Sequence, residues 1–328
     1  PTRHFFDFAL FVAFFPQLMA GPIERAKKLI PQIQRKRVIT PDHLTEGSWL
    51  ILWGVFKKVF IADNLAAYSF WSVTMSQAET PADMYIASFA FVIQFYCDFS
   101  GYSDMARGLA SVMGFKLSLN FNLPYFSTNP ATFWLRWHIT LSSWLRDYCY
   151  NPLAKSKWLT GNRAIALLLT MAIAGLWHGP DWSFILWGVL WGVAIIIYRL
   201  LKPFIMIYTQ KSKQLSNLIG VAGALITFHI VLFAGHFFVA FDIQSGFRNI
   251  TFTFQDWSMS SNTFKDLVTV MYYTWPLVII QVAQLLSKNL NVMLSWPYPA
   301  RLALYSILLF LLITSGAEGG AEFIYFQF

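Results

Sequence analysis

Long apolar runs broken by short basic or polar interruptions predict helices that cross a membrane. Residues 5–20, 84–97, 218–241, 267–286 and 302–314 each read as one apolar segment, and a helix covers the hydrocarbon core with about 20 residues. Pro16 is expected to bend or end the first of them. Residues 48–72 carry Lys57, Lys58 and Asp63 inside an apolar pattern. Either that helix lies at an interface with its lysines reaching towards water, or it bends and packs the charges into a polar interior. Residues 242–262 are mixed and nearly charge-balanced, so they read as an outer loop. Lys288 and Arg301 bracket a further loop, and the aromatics of residues 322–328 suit a membrane interface.

An apolar hairpin within residues 165–197 organises the rest. Two arms of about 15 to 17 residues, slightly short of a full crossing, meet at Gly175-Leu-Trp-His-Gly-Pro-Asp-Trp182, which sets His178 and Asp181 between two tryptophans. From Arg163 to His178 is 15 residues, about 22 Å at helical rise against a core of roughly 30 Å. Polar groups at that depth either tie a kinked helix pair together or face a pathway or site.

Three further polar insertions stand out. In Asp98-Phe-Ser-Gly-Tyr-Ser-Asp104, Gly101 permits a break or a close backbone approach, and Ser103 or Asp104 can cap a following helix. Asp98 and Asp104 then serve either a buried network or the lining of a substrate channel. Residues 133–150 predict one amphipathic helix on which His138, Ser142 and Arg146, at spacings of four, approach one face. His138 is either a hydrogen-bonded structural histidine or part of a site, and Asn122 lies in the polar linker before it. His229 and His236 are seven apart, and without a third ligand at suitable spacing they read as helix-packing or cavity histidines rather than a metal site.

Composition narrows the class. With 56% hydrophobic and 12% charged residues and a mean hydropathy of +0.50, an ordinary soluble domain is excluded, leaving an all-α polytopic membrane protein. The net charge of +8 sits in short clusters: Arg25, Lys27, Lys28, Arg35, Lys36 and Arg37, then Lys155, Lys157 and Arg163, then Arg199, Lys202, Lys211 and Lys213. Basic loops of that kind face the cytosol. The charge therefore reads as topology and contact with anionic membrane lipids, not as nucleic-acid binding. The densest patch is either a plain topogenic loop or an attractor for an anionic cytosolic substrate such as a nucleotide-bearing thioester. Cys97 and Cys149 show neither metal-ligand nor disulfide spacing, and no phosphate-cradling glycine loop is present. Pro1-Thr-Arg-His4 lacks an initiating Met, and the chain is expected to begin inside a longer protein.

Several blocks together resemble the membrane-bound O-acyltransferase family, in the bacterial branch typified by the membrane subunit of alginate O-acetylation. They are Phe15-Pro-Gln-Leu-Met-Ala-Gly-Pro-Ile-Glu-Arg25, Phe95-Tyr-Cys-Asp-Phe-Ser-Gly-Tyr-Ser-Asp-Met-Ala106, Asn120-Phe-Asn-Leu-Pro-Tyr125, Phe133-Trp-Leu-Arg-Trp-His138, Leu141-Ser-Ser-Trp-Leu-Arg-Asp-Tyr148, Gly175-Leu-Trp-His-Gly179 and Phe323-Ile-Tyr-Phe-Gln-Phe328. The resemblance implies the family's fold, with a central funnel or channel and a buried catalytic histidine. Residues 1–328 would form a single domain, the C-terminal two-thirds of a longer chain whose N-terminal spans are missing. His178 falls on the family's catalytic histidine and His138 on its second polar position. Where many relatives read Phe-Phe-Arg-Ala late in the chain, this one reads Phe237-Phe-Val-Ala240.

The same resemblance implies a multi-pass protein of the bacterial inner membrane that takes acetyl from cytosolic acetyl-CoA, with no tightly bound cofactor and no metal. The acetyl group would pass, by way of a periplasmic SGNH-type acetyltransferase partner, to hydroxyls of an extracytoplasmic polysaccharide such as alginate. D-alanyl or other acyl transfer to an envelope polymer is the alternative within the family. Outside it stand a transporter, which also has broken helices and mid-membrane polar groups, and a scaffold of a polysaccharide-modifying complex. Acyl transfer from a thioester to a hydroxyl needs a base for the nucleophile and donors aimed at the developing oxyanion. A neutral imidazole suits the first task. Asp181 is the candidate to orient it and His138 or Asn122 to polarise the carbonyl, with Ser142, Arg146, Asp98 and Asp104 as further candidate channel residues.

Overall fold

The computed structural model describes residues 4–69, 78–159, 161–240, 242–255, 257–320 and 322–324, and the regular elements among them are all helical. In order, α1 (Phe5–Ala13), α2 (Phe15–Leu18), α3 (Ala26–Gln34), α4 (Pro41–Val55) and α5 (Asp63–Leu65) lead to the long α6 (Pro81–Val112). Short helices α7 (Pro130–Trp134), α8 (Ile139–Leu145) and α9 (Asn151–Lys155) precede a hairpin of α10 (Arg163–His178) and α11 (Trp182–Thr209). Then come α12 (Lys213–Val239), α13 (Ile243–Thr253), α14 (Thr263–Ser287) and α15 (Tyr298–Ser315). Among the described residues α11, α12, α14 and α15 are long and apolar enough to cross a membrane, and α10 is a shorter apolar helix. Only 6% of the most apolar stretch of α15 is buried within the protein. A helix that is apolar on its exposed sides is solvated by lipid, so the chain is a polytopic membrane protein.

Contacts divide the chain into two compact units. The first comprises the described residues of Pro1–Tyr68, Ile93–Asn120 and Leu267–Gln327, the second those of Ser69–Val92 and Phe121–Asp266.

In the first unit the expected span at 5–20 is not one helix. Phe14 takes an extended conformation (φ −65°, ψ 97°) between α1 and α2, and the nine residues of α1 reach about 14 Å, too short to cross. α4 and α6 meet through glycines. A Cβ on Gly101 would stand 2.8 Å from the Gly54 carbonyl oxygen, and one on Gly108 2.7 Å from that of Gly47. Such pairs let helix backbones touch. Gly101 thus serves close approach, and α6 runs through it without the expected break or the caps at Ser103 and Asp104.

Beyond Val55 the helix widens into a π-helical stretch, Phe56–Ala62, and the two lysines there point into protein. Lys57 Nζ lies 2.7 Å from Asp104 Oδ2 and donates to Ser100 Oγ at 2.9 Å. Lys58 Nζ lies 2.9 Å from Asp63 Oδ1 and 2.8 Å from Asp98 Oδ1. Of the two alternatives for residues 48–72, the polar interior is the one realised. Residues near the end of the described chain join the same network: the Ile324 amide donates to Asp98 Oδ2 at 2.7 Å, and Phe323 packs on Phe99 and Tyr102. Phe323 is therefore buried rather than interfacial, while residues 325–328 of that aromatic run lie outside the described residues.

In the second unit α10 and α11 are pressed together, since a Cβ on Gly175 would stand 2.0 Å from the Phe184 carbonyl oxygen and one on Gly188 2.0 Å from that of Met171. α11 continues to Thr209, so the second arm is a full span of 28 residues rather than a short one, and Arg199 and Lys202 sit on it. On α12, His229 Nε2 and Tyr85 Oη are 2.9 Å apart, as are His236 Nε2 and Ser88 Oγ. Both histidines thus make helix-packing hydrogen bonds. The outer loop expected at 242–262 holds a helix, α13. Asp242 starts it by accepting the Ser245 amide at 2.7 Å, which holds that carboxyl below the usual carboxylate range.

Candidate active site

The candidate site lies wholly within the second unit, at the turn of the α10–α11 hairpin. Asn162 starts α10 by accepting the amides of Ala164 and Ile165, and a run of Ala, Leu, Ile and Met carries it to His178. Helix propagation stops there because Gly179 is extended (φ 175°, ψ 161°) and Pro180 has no amide to donate. Asp181 then starts α11 by accepting the Ser183 amide at 2.7 Å. Glycine is required at 179 on spatial grounds, since a Cβ would stand 2.4 Å from the Phe184 ring. His178 is thereby fixed as the last residue of α10.

Three aromatic rings stand edge-on to the His178 imidazole: Trp177 at 4.9 Å and 79°, Trp187 at 5.3 Å and 88°, and Phe238 at 4.9 Å and 74°. Trp187 and Phe238 are buried, whereas Trp177 is half exposed. Trp177 also stands edge-on to the second histidine, His138, with ring centroids 6.4 Å apart. One indole therefore touches both imidazoles. The rings continue from Trp187 through Trp134 to Trp191 and Phe133, and on to Trp137 and Phe121, which itself packs on His138. Offset and edge-to-face contacts of this kind add roughly 0.5–1.5 kcal/mol per pair, so the two histidines are held at either end of a stiff aromatic frame.

His138 itself is strained. Its backbone lies in the left-handed region at φ 40°, ψ 54°, a conformation that costs a non-glycine residue on the order of 1–3 kcal/mol and concentrates at functional sites. That conformation splits the amphipathic helix expected over 133–150 into α7, α8 and a π-helical turn at Arg146–Tyr150. The single polar face of His138, Ser142 and Arg146 is thereby lost. Ser142 donates its amide to the His138 carbonyl and its hydroxyl to that of Trp137, while Arg146 is exposed beside Asp147. Asn122 is exposed and donates its amide to the Arg136 carbonyl at 2.9 Å. Asp98 and Asp104 belong to the charge network of the first unit.

The structure thus brings His178 and His138 onto one indole and adds two residues that sequence reasoning passed over, Trp187 and Phe238. Trp187 was one of several aromatics in an apolar arm, with no local signal to single it out. Phe238 was within sight, in the Phe237-Phe-Val-Ala240 departure. A separate apolar groove of about 630 Å³ runs along α11, α12 and α13, lined by Leu190, Ile197, Leu225, Phe233, Phe237 and Ile250 among others. Apart from His229 its lining carries no reactive group, so it is not the site.

Residues 2–240 match the family described as MBOAT, membrane-bound O-acyltransferase family. The chain is 38% identical over 284 residues to the "Probable alginate O-acetylase AlgI" of Azotobacter vinelandii, covering 86% of this chain and 55% of that protein. The protein of the same name from Pseudomonas aeruginosa is 39% identical over 284 residues, 86% of this chain and 52% of its own length. A "Peptidoglycan O-acetyltransferase" of Helicobacter pylori is 37% identical over 254 residues, 75% of this chain and 46% of its own. The chain spans about half the length of the curated relatives it matches.

Proposed function

Because this chain belongs to the membrane-bound O-acyltransferase family, in its alginate O-acetylase-like branch, we propose that it transfers acetyl groups from acetyl-CoA towards an extracytoplasmic polysaccharide, with His178 as general base. The observation that carries this reading is the imidazole fixed at a helix end, walled by aromatic rings, with a strained second histidine packed on the same indole. In the step it supports, the acceptor hydroxyl attacks the thioester carbonyl as His178 takes the hydroxyl proton. The tetrahedral intermediate collapses, the C–S bond breaks, and the leaving thiolate takes the proton back from the imidazolium. His138 is the candidate donor to the carbonyl oxygen, since preorganised donors at a developing oxyanion are the strongest single contribution to such a barrier. Water exclusion by the rings strengthens every polar interaction made there.

The acceptor of the transferred group is a periplasmic acetyltransferase of the SGNH type, which passes acetyl to alginate or a similar polymer. The protein resides in the bacterial inner membrane, with the basic clusters at 25–37 and 199–213 towards the cytosol, where the donor is. A peptidoglycan acceptor is the second reading, favoured by the name and 37% identity of the Helicobacter pylori relative.

The test is His178→Ala in the full-length membrane protein with labelled acetyl-CoA. Transfer is expected to fall by about 10²-fold or more, the usual worth of a general base, with unchanged membrane yield and helicity. Turnover near that of the wild type would remove His178 from the chemistry.

A further inference from the structure

The two buried rings that wall His178 have no freedom to withdraw. Phe238 packs on Trp187 at 5.2 Å and on Phe184 at 5.3 Å. Phe184 in turn fills the space where a Gly179 Cβ would stand, and Trp187 is backed by Trp134 at 5.7 Å. A side chain in such packing moves only if its neighbours do. A base must be within hydrogen-bond reach of the hydroxyl whose proton it takes, and that hydroxyl within about 3–3.5 Å of the carbonyl carbon, so the acyl group is worked on within a few ångströms of the imidazole. The Trp187 and Phe238 edges that stand against the imidazole then bound the space open to its alkyl end.

We infer that Phe238, with Trp187 behind it, is a specificity-determining residue that limits the transferred acyl group to two or three carbons. The proposal rests on the assignment of His178 as the base. Phe238 comes from α12, a different helix from the one that carries His178, and meets the imidazole only through its ring edge, so its size can be changed without altering the backbone that holds the base. Trp177, half exposed on the third side, leaves that side for the reactants.

The experiment is a donor series of acetyl-, propionyl-, butyryl- and hexanoyl-CoA, read as kcat/KM for the full-length protein and three variants. In the wild type the value should fall by roughly tenfold or more from acetyl to butyryl, the usual worth of misfit methylenes in an apolar pocket. Phe238→Ala empties a space on the order of 100 Å³, comparable to engineered cavities that accept small apolar ligands, and should erase most of that preference. Phe238→Leu should give an intermediate profile, and it carries the test should the alanine variant fail to fold. Phe247→Ala, whose ring packs on Phe237 and not on His178, should keep the wild-type profile. Equal use of acetyl and butyryl donors by the wild type would overturn the inference. So would a uniform loss for every chain length in both Phe238 variants, which is the mark of a merely structural ring. Neither result touches the His178 assignment, which fails only if His178→Ala retains turnover.

Discussion

The two units bury polar groups in opposite ways. In the first, Lys57 and Lys58 are matched against Asp104, Asp98 and Asp63 at 2.7–2.9 Å, so each charge in the interior faces its opposite. In the second, His178 and His138 are surrounded by rings, with indole and phenyl edges where the first unit has carboxylates. Opposite charges at contact distance neutralise each other and tie the π-helical stretch after α4 to α6, which makes the network a fastening. An imidazole needs no counter-charge because it can stay neutral, so rings can enclose it where they could not enclose an unpaired lysine. Burial alone therefore does not mark a site. What distinguishes the candidate site is an aromatic wall around the imidazole, together with backbone strain at the neighbouring histidine.

The comparison breaks first at Lys57. Removing one partner of a buried ion pair typically costs about 3–5 kcal/mol, so Lys57→Met is expected to lower thermal stability in detergent sharply and to reduce membrane yield. Adding Asp104→Asn should recover part of the loss. A Lys57→Met variant as stable as the wild type would show that the pair is incidental. His178→Ala, by contrast, should leave stability nearly unchanged while removing turnover. A much smaller effect sharpens the second region. Asn caps a helix about as well as Asp, so if Asp181 only starts α11, Asp181→Asn should retain turnover close to wild type. A fall of roughly tenfold or more would instead give its carboxylate a part in orienting the imidazole.

Much of this arrangement is legible in the residues themselves. The apolar runs at 165–197, 218–241, 267–286 and 302–314 locate α10, α11, α12, α14 and α15, because lipid solvation demands uninterrupted apolar sequence. His178 stands out for the same reason, as a polar group where the pattern admits none. The break at His138 leaves no such trace: the helical period runs through 133–150 undisturbed, and only packing on Trp177 and Phe121 sets the left-handed turn. Lys57 and Lys58 announce a conflict without resolving it, since Asp98 and Asp104 lie forty or more residues further along. α13 was hidden by charge balance, although Asp242 followed by Ser245 is a start signal. Phe237-Phe-Val-Ala240 draws the eye to Phe238, but its role beside His178 shows only in three dimensions, because its ring arrives from α12 against a histidine on α10.

The most direct test follows the acetyl group across the membrane. Sealed vesicles holding the full-length protein in one orientation would receive, on the face bearing Lys27 and Lys211, acetyl-CoA labelled separately in its acetyl and nucleotide portions, with an acceptor on the opposite face. The expected result is acetyl label on the acceptor, nucleotide label confined to the donor side, and loss of both transfer and thiol release in His178→Ala. Nucleotide label arriving with the acceptor, undiminished by His178→Ala, would contradict the assignment and make the protein a transporter.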